Sequence, residues 1–374
     1  MSKGNITTRG VELLRRLELE LPIIQAPMAG VSTPSMAAAA SNAGALGSLG
    51  IGAANVAGAE KMIREARELS RRALNINVFC HQPAVAAPAV EAAWIERLRA
   101  HFVRFGAEPP AALREIYTSF LVDDGMLDLL VRLRPEVVSF HFGLPSGERL
   151  EALRKAGCLL VASVTSPAEA GVVVAAGVDA VIAQGYEAGG HRGVFDPIAC
   201  DDRLGTLALT RVLVQKLGGV PVIAAGGIMD GAGIAAALRL GAVAAQLGTA
   251  FVGCLESAAD EGYRAALRSE AALHTVMTAA VSGRLARCLA NRFTELGESV
   301  APGEIPAYPV AYDAGKSLHA AAKARREFGY GAQWAGQGAP LARVLPTGEL
   351  VRTLALELET AVSAAASTAV SAAG

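Results

Sequence analysis

The feature that most constrains this chain is a repeated unit, in which a short apolar run is followed by a loop and then by an amphipathic helical stretch. Runs of four to eight apolar or β-branched residues bounded by Gly, Pro or Asn are typical of buried strands. Eight such runs are present: 22–26 (PIIQA), 45–49 (ALGSL), 74–78 (LNINV), 136–140 (EVVSF), 158–163 (CLLVAS), 179–183 (DAVIA), 220–225 (VPVIAA) and 242–246 (AVAAQ).

Helical patterns separate these runs, and strands that alternate with helices form a parallel sheet, because a crossover helix returns the chain to the same edge. The predicted helices span 55–72, 88–105, 121–134, 147–156, 166–176, 206–218 and 230–240. Eight units predict an α/β fold of the (β/α)8 TIM-barrel type. The count alone does not separate a closed barrel from an open doubly wound sheet.

The pattern changes after about residue 255, where 257–275 and 314–328 are predicted to be helical. We expect a (β/α)8 barrel over 1–254 and a mostly helical C-terminal segment over 255–374 that packs at the barrel mouth. No linker rich in Gly, Ser or Pro marks an independent domain.

Composition agrees with a large core of parallel strands, since 52% of the residues are hydrophobic and 18% are charged. A net charge of −1 predicts no general attraction to nucleic acid or to an anionic membrane. No targeting or bilayer-spanning segment is predicted, and five cysteines without a CxxC pair indicate a reduced, cytoplasmic protein. No group of residues has metal-ligand spacing, so no metal is expected.

Polar residues and glycines concentrate at the predicted carboxyl ends of the strands. In TIM barrels the active site is built from the loops at that end. The sequence therefore predicts a site there, at Pro27–Met28, Gly50, Asn77, His141, Ser163, Gln184, Gly226–Gly227 and Gly248–Thr249.

The loops after the last two strands have the composition of a phosphate site. The segments VIAAGGIMDGAGIAAAL and AAQLGTAF place glycines directly after a strand, and a helix is predicted to begin near Asp230. Glycine lets the backbone approach an anion closely, and helix N-termini favour one. A tight turn without a ligand is the structural alternative.

The densest cluster is GYEAGGHRG at 185–193, with four glycines, Glu187, His191 and Arg192. A flexible surface loop is the alternative to a site, but a loop that leaves a barrel strand lies at the mouth. His191 could act as a base or donate a hydrogen bond to developing negative charge. His141, between two aromatic residues, is equally consistent with a packed histidine, and His319 is predicted to lie at the surface.

The chain resembles the nitronate monooxygenase (2-nitropropane dioxygenase) family, class I. The resemblance rests on PIIQAPMAG, NVFCHQP, SFHFGLP, QGYEAGGHRG, VIAAGGIMDG, QLGTAF, GRLARCLANRF and YGAQWAGQ, in this order between about residues 20 and 338. Such enzymes oxidise alkyl nitronates with O2, commonly propionate 3-nitronate, to a carbonyl compound with nitrite and nitrate.

The resemblance implies a bound FMN, with His191 as the active-site histidine. Gly226 and Gly227 would approach its phosphate, and Ala26, Pro27 and Met28 would pack against its isoalloxazine. The remaining residues implied in FMN binding are Asn77, Gln184, Gly189, Gly190, Gln246, Leu247, Gly248 and Thr249. Candidates for binding the substrate are His141, Arg192, Tyr312 and Lys316.

Two other functions stay open at this stage. One is an NAD(P)H-dependent flavin reductase of the enoyl-acyl-carrier-protein or quinone type, which shares the glycine-rich motifs. The other is a phosphate-binding barrel without flavin, although no assigned strand end carries the Lys, Asp or Glu that such enzymes commonly use. The expected partners are a small nitronate or nitroalkane and O2, and the expected assembly is a monomer or homodimer.

Overall fold

The computed structural model describes residues 7–371, and its centre is a barrel of eight parallel strands. These are β1 (Ile23–Gln25), β2 (Gly47–Gly50), β3 (Leu74–Phe79), β4 (Val137–His141), β5 (Leu159–Val164), β6 (Ala180–Gln184), β8 (Val222–Ala225) and β9 (Ala244–Leu247). Their order is β1-β9-β8-β6-β5-β4-β3-β2.

The two ends of this order meet, which closes the barrel. Gln25 N donates to Leu46 O at 2.9 Å, and Leu46 N donates to Ile23 O at 3.0 Å. These bonds join β1 to the residue that precedes β2. The prediction of a (β/α)8 barrel is therefore confirmed, and the open sheet is excluded.

Nine helices precede the last barrel strand in residues 7–371, and all but the first two lie close to positions that the sequence predicted. They are α1 (Thr8–Arg16), α2 (Pro34–Asn42), α3 (Val56–Leu69), α4 (Pro88–Arg104), α5 (Asp124–Leu133), α6 (Gly147–Lys155), α7 (Pro167–Ala175), α8 (Thr206–Lys216) and α9 (Gly231–Arg239). Side-chain caps explain many of their first residues, because a Ser, Thr, Asn or Asp oxygen accepts the exposed N–H of the first turn. Such caps are Thr33, Asn55, Asp123, Ser146, Ser166 and Asp230.

The C-terminal segment is mostly helical, as predicted, but it also forms strands that the sequence pattern did not indicate. Helix α10 (Thr249–Val252) follows the last barrel strand. The helices of the C-terminal segment are α11 (Glu261–Leu267), α12 (Arg292–Glu298), α13 (Val310–Lys323) and α14 (Thr347–Ser371), with 3-10 turns at Glu270–Leu273, Pro302–Glu304 and Ala339–Leu341. The single helix expected over 257–275 is wrong. Helix α11 ends at Leu267, and a strand begins at Thr275.

That strand, β10 (Thr275–Thr278), pairs antiparallel with β11 (Ala286–Leu289). Strand β11 also pairs with β7 (Gly190–His191), which belongs to the loop that follows β6. The resulting three-stranded sheet has the order β10-β11-β7. It therefore ties the glycine-rich loop of the barrel to the C-terminal segment.

The barrel part of the chain and the C-terminal segment share apolar clusters. Trp94, Leu98 and Phe102 of α4 share one apolar cluster with Leu318 and Ala322 of α13. Helix α14 does not pack at the mouth, because its buried leucines lie in a different cluster, with residues of α2 and α9 on the barrel flank. Within residues 7–371, no helix has the length and apolar character needed to cross a bilayer.

Candidate active site

A cavity of about 710 Å³ opens at the carboxyl ends of the barrel strands. It is the size expected of a ligand-binding site. The predicted residues that line it are Ala26, Pro27, Met28, Asn77, His141, Gln184, Gly189, Gly190, His191, Gly226, Gly227, Gln246, Gly248, Thr249, Tyr312 and Lys316.

Two predicted site residues do not reach this cavity. The side chain of Leu247 is buried in an apolar cluster away from the cavity. Its backbone oxygen accepts a hydrogen bond from Ala26 N at 2.8 Å. The guanidinium of Arg192 pairs with both carboxylate oxygens of Asp201, at 2.7 and 2.9 Å, and donates to Gln184 O at 2.6 Å. Arg192 therefore fixes the loop, and its charge is not available to a substrate.

The glycine-rich loop after β6 is held in place along its whole length. Thr206 donates to the Glu187 carboxylate through its N–H at 2.8 Å and its hydroxyl at 2.9 Å. Gln184 donates to His191 O at 3.0 Å and accepts from Gly193 N at 2.8 Å, so both polar atoms of this side chain serve the loop. A flexible surface loop is thus excluded.

His191 lies in a ring of aromatic side chains at the cavity wall. The centroid of its imidazole is 5.0 Å from that of Trp334, 5.1 Å from that of Tyr308 and 5.7 Å from that of Phe142. Its Nε2 atom is 2.8 Å from Ser282 Oγ. Burial lowers the pKa of His191 well below its ordinary value, and the nearby His141 and Arg284 lower it further. The imidazole is therefore neutral at pH 7.

His141 combines both roles that the sequence allowed. Its ring lines the cavity, and its Nε2 lies 3.2 Å from His191 O, to which it donates. Burial lowers the pKa of His141 to about 4, which keeps this ring neutral as well. His141 thus supports the backbone of His191.

A positive charge faces the same cavity. The Lys316 ammonium lies 4.9 Å from the ring centroid of Tyr117 and 5.3 Å from that of Tyr312. No carboxylate of residues 7–371 forms an ion pair with Lys316. Burial lowers its pKa, and the negative charge of Asp313, which forms no ion pair with Lys316, partly opposes this effect. Such a cation is suited to bind an anionic ligand.

Several cavity residues were missed in the sequence. Tyr117, Tyr308 and Trp334 line the cavity, and so does His319, which the helical pattern had placed at the surface. Tyr308, Tyr312, Lys316 and His319 follow one another at intervals of three or four residues, which is the spacing of one helix face. That spacing could have indicated Tyr308 and His319 as neighbours of Tyr312 and Lys316.

The opposite wall of the cavity fits a phosphate-bearing flavin. Gly226 and Gly227 have φ values of +124° and +69°, and their N–H groups donate to no group within residues 7–371. The buried Oε1 of Gln246, also at the cavity, has no hydrogen-bond partner in the same range. These free donors and this free acceptor match the phosphate and the polar edge of a flavin ring.

Two N–H groups at the start of α9 already have protein partners. Gly233 N donates to Asp230 Oδ1 at 2.8 Å, and Gly231 N donates to Glu357 Oε2 at 3.0 Å. Two carboxylates therefore occupy the first turn of the helix. The free amides of Gly226 and Gly227 lie just before it.

A model of the nitronate monooxygenase family matches residues 12–357. The chain belongs to the nitronate monooxygenase family. It is 62% identical to a nitronate monooxygenase of Paraburkholderia phytofirmans over 350 residues, which cover 94% of this chain and 95% of the relative. It is 53% identical to a nitronate monooxygenase of Pseudomonas aeruginosa, over 92% of this chain and 98% of the relative. Family membership makes the protein a flavin-dependent oxidoreductase.

Two solved structures have a similar fold over almost the whole chain. A crystal structure of nitroalkane oxidase from Streptomyces ansochromogenes is similar with a TM-score of 0.85 and 40% identity, over 94% of this chain and 99% of that one. FabK from Thermotoga maritima is similar with a TM-score of 0.73 and 28% identity, over 96% and 98% of the two chains.

Proposed function

We propose that the protein is an FMN-dependent nitronate monooxygenase that oxidises alkyl nitronates, with propionate 3-nitronate preferred, using O2. The products are a carbonyl compound with nitrite and nitrate. The observation that carries this proposal is the pairing, in one cavity, of a neutral histidine enclosed by aromatic rings with the unpaired Lys316. Such a chamber suits a small anion with an apolar body.

FMN would be held along the strand ends by Ala26–Met28, Asn77, Gln246 and the glycine turn 226–227. When bound, it supplies the one-electron and O2 chemistry that amino-acid side chains lack. Asn77 donates both of its amide hydrogens to Ser139, at 3.0 and 3.1 Å, so its Oδ1 is the atom left to accept a hydrogen bond.

The substrate end of the cavity would bind the two charged ends of propionate 3-nitronate separately. Lys316 is the candidate for the carboxylate, because its charge is not neutralised by an ion pair. The Tyr308 hydroxyl is buried without a hydrogen-bond partner in residues 7–371 and lines the same cavity. Because this hydroxyl is not exposed to the cavity, it would have to turn toward the substrate to donate to a nitro oxygen.

His191 would act differently on the two forms of a substrate. A nitronate is already an anion, so it needs hydrogen bonds to its nitro oxygens and no base. A neutral nitroalkane must first lose its α-proton, and the neutral imidazole can take it. The aromatic rings around His191 exclude water from this step.

We also propose that the protein works in the cytoplasm as a monomer or homodimer, with the nitronate or nitroalkane and O2 as its partners. A net charge of −1 supports the absence of a nucleic-acid or membrane partner.

The proposal is tested on the purified protein by its absorbance spectrum, by identification of the released flavin, and by O2 uptake. We expect a yellow protein that releases FMN and consumes O2 when propionate 3-nitronate is added. Addition of NADH under anaerobic conditions should leave the flavin oxidised.

Rapid anaerobic bleaching by NADH, without O2 uptake on the nitronate, would instead establish a flavin reductase. A colourless protein that takes up no flavin would establish a flavin-free barrel. Lys316→Met retains most of the side chain's apolar contact, and it should raise the KM for propionate 3-nitronate more than that for an alkyl nitronate without a carboxylate.

A further inference from the structure

We propose that Ser282 is a positioning residue that fixes His191 in its Nε2–H tautomer and so leaves Nδ1 as the atom that takes the substrate proton. This inference rests on the proposed function, since it specifies which atom of the same histidine reacts. The position of one hydrogen atom, on Nε2 or on Nδ1, decides which ring nitrogen can accept a proton.

Ser282 is fully buried, and its hydroxyl has two neighbours. Its Oγ lies 2.8 Å from His191 Nε2 and 3.2 Å from Arg284 O. A hydroxyl has one hydrogen, and a carbonyl oxygen can only accept. If Ser282 donates to the carbonyl, the imidazole must supply the hydrogen of the 2.8 Å contact.

The opposite arrangement leaves a polar group without a partner. If Ser282 donated to Nε2, then Arg284 O would receive no hydrogen bond from residues 7–371. A buried carbonyl without a donor costs about 1–3 kcal/mol. The Nε2–H tautomer satisfies both contacts and is therefore the favoured one.

The other ring nitrogen is open to the cavity. Nδ1 of His191 makes no hydrogen bond within residues 7–371 and is not among the fully buried polar atoms that lack a partner. Hydrogen bonds from Gln184 and His141 to His191 O fix the backbone, and the rings of Phe142, Tyr308 and Trp334 around the imidazole oppose the rotation that would exchange its two nitrogens. Strand β7 also pairs His191 with Ala286 of β11.

The proposed proton transfer runs from the α-carbon of a nitroalkane to Nδ1 of His191. The Cα–H bond of a nitroalkane breaks, its electron pair moves into the nitro group, and the proton forms a bond with Nδ1. The product pair is a nitronate and an imidazolium whose Nε2–H still donates to Ser282. The uncharged groups facing the ring are Tyr308, Tyr312, Trp334 and Phe142, and the titratable groups near it include His141, His81 and Arg284.

The Nε2–H tautomer predicts different pH dependences of kcat/KM for a nitroalkane and for its nitronate. A lone pair at Nδ1 accepts a proton but cannot donate to a nitronate oxygen, so the neutral His191 gives an anionic substrate no hydrogen bond. As the pH falls toward the pKa of His191, we therefore expect kcat/KM to fall for a nitroalkane. For the corresponding nitronate, it should hold or rise.

The tautomer is tested directly by 15N NMR of the FMN-loaded protein labelled at histidine, with the His191 signals assigned by their loss in His191→Asn. We expect a protonated Nε2 and an unprotonated Nδ1 at pH 7. A protonated Nδ1 would overturn the proposal. This measurement needs no turnover, so it stands apart from failure of the proposed function, which would show as no O2 uptake with any nitronate.

The role of Ser282 is tested with Ser282→Ala. Loss of one hydrogen bond should lower kcat/KM for nitroethane roughly 3- to 10-fold and should populate the second tautomer in the NMR spectrum. Turnover of ethyl nitronate should change less than about twofold. Ser41→Ala is the matched control, because Ser41 is also fully buried and bonded to backbone, at Ala73 O and Gly47 N, but lies outside the cavity.

Ser41→Ala should leave the ratio of the two activities and the His191 signals unchanged. Equal losses for both substrates in Ser282→Ala, or an unchanged tautomer, would show that Ser282 does not position the ring.

Discussion

At the scale of single residues, the site depends on charges that are kept apart. His191 is neutral because burial and the nearby Arg284 disfavour a second positive charge. Lys316 remains a cation among tyrosine rings, with no carboxylate of residues 7–371 paired to it. Under the proposed function, one cavity would offer a base to a neutral substrate and a charge to an anionic one.

His191→Asn separates these two roles. We expect kcat/KM for nitroethane to fall roughly 10²- to 10⁴-fold, because a positioned base is lost, and kcat/KM for ethyl nitronate to fall much less. Both are measured as O2 uptake at pH 7. His274→Asn, at an exposed position, is the control and should leave both substrates unaffected. Similar losses for the two substrates would contradict the assignment of His191 as a base.

At the scale of elements, the sequence predicted where the barrel strands end, but not the three-stranded sheet β10-β11-β7 that holds the loop after β6. Most residues of the buried parallel strands are apolar, so a polar residue or glycine such as Gln184 or Gly226 marks the end of a strand in the sequence itself. Asn77 does not mark an end, because β3 continues to Phe79. Strand β7 has only two residues, and its partner β11 lies far along the chain. No local pattern reports such a pairing, so the sheet that holds His191 could not be predicted. His319 was misplaced for a related reason, since helix periodicity does not say which neighbour a face meets.

The contact between the glycine-rich loop and residues 335–336 is also an element-scale feature. A Cβ atom at Gly189 would lie 2.5 Å from Gly336 N, a backbone atom that cannot move aside alone. We expect Gly189→Ala to lower the free energy of unfolding by about 1–3 kcal/mol and to weaken flavin retention. Thermal unfolding and flavin release measure the two effects.

Gly171→Ala is the matched control for this substitution. A Cβ at Gly171 has no neighbour within 4 Å, and the residue lies inside α7. It should stabilise the protein by up to about 1 kcal/mol, since alanine is the better helix former. A Gly189→Ala protein as stable as the wild type would show that the loop and residues 335–336 do not pack this closely.

At the scale of the whole molecule, the buried histidines make stability depend on pH. Burial lowers the pKa of His81 to about 4, and it lowers that of His141 to about 4. The unfolded chain, with a pKa near 6.5, binds protons more readily than the folded one. The stabilising contribution is therefore complete above pH 6.5 and is lost as the pH falls from 6.5 through 4.

Urea unfolding at pH 7 and pH 5 tests this dependence. For His81 alone we expect a loss on the order of 2 kcal/mol at pH 5. His81→Phe should make the difference between the two pH values smaller, because both ring nitrogens of His81 are buried without a hydrogen-bond partner in residues 7–371. A variant with the same pH dependence as the wild type would exclude His81 as a contributor.

The pairing of β7 with β11 has a consequence for how the protein is made. All eight barrel strands have left the ribosome once Leu247 has emerged, but the partner of His191 is Ala286, which follows much later. A domain can fold during synthesis as soon as its strands are available. The nascent chain therefore contains every barrel strand before it contains the residues that support His191, so the substrate chamber is completed last.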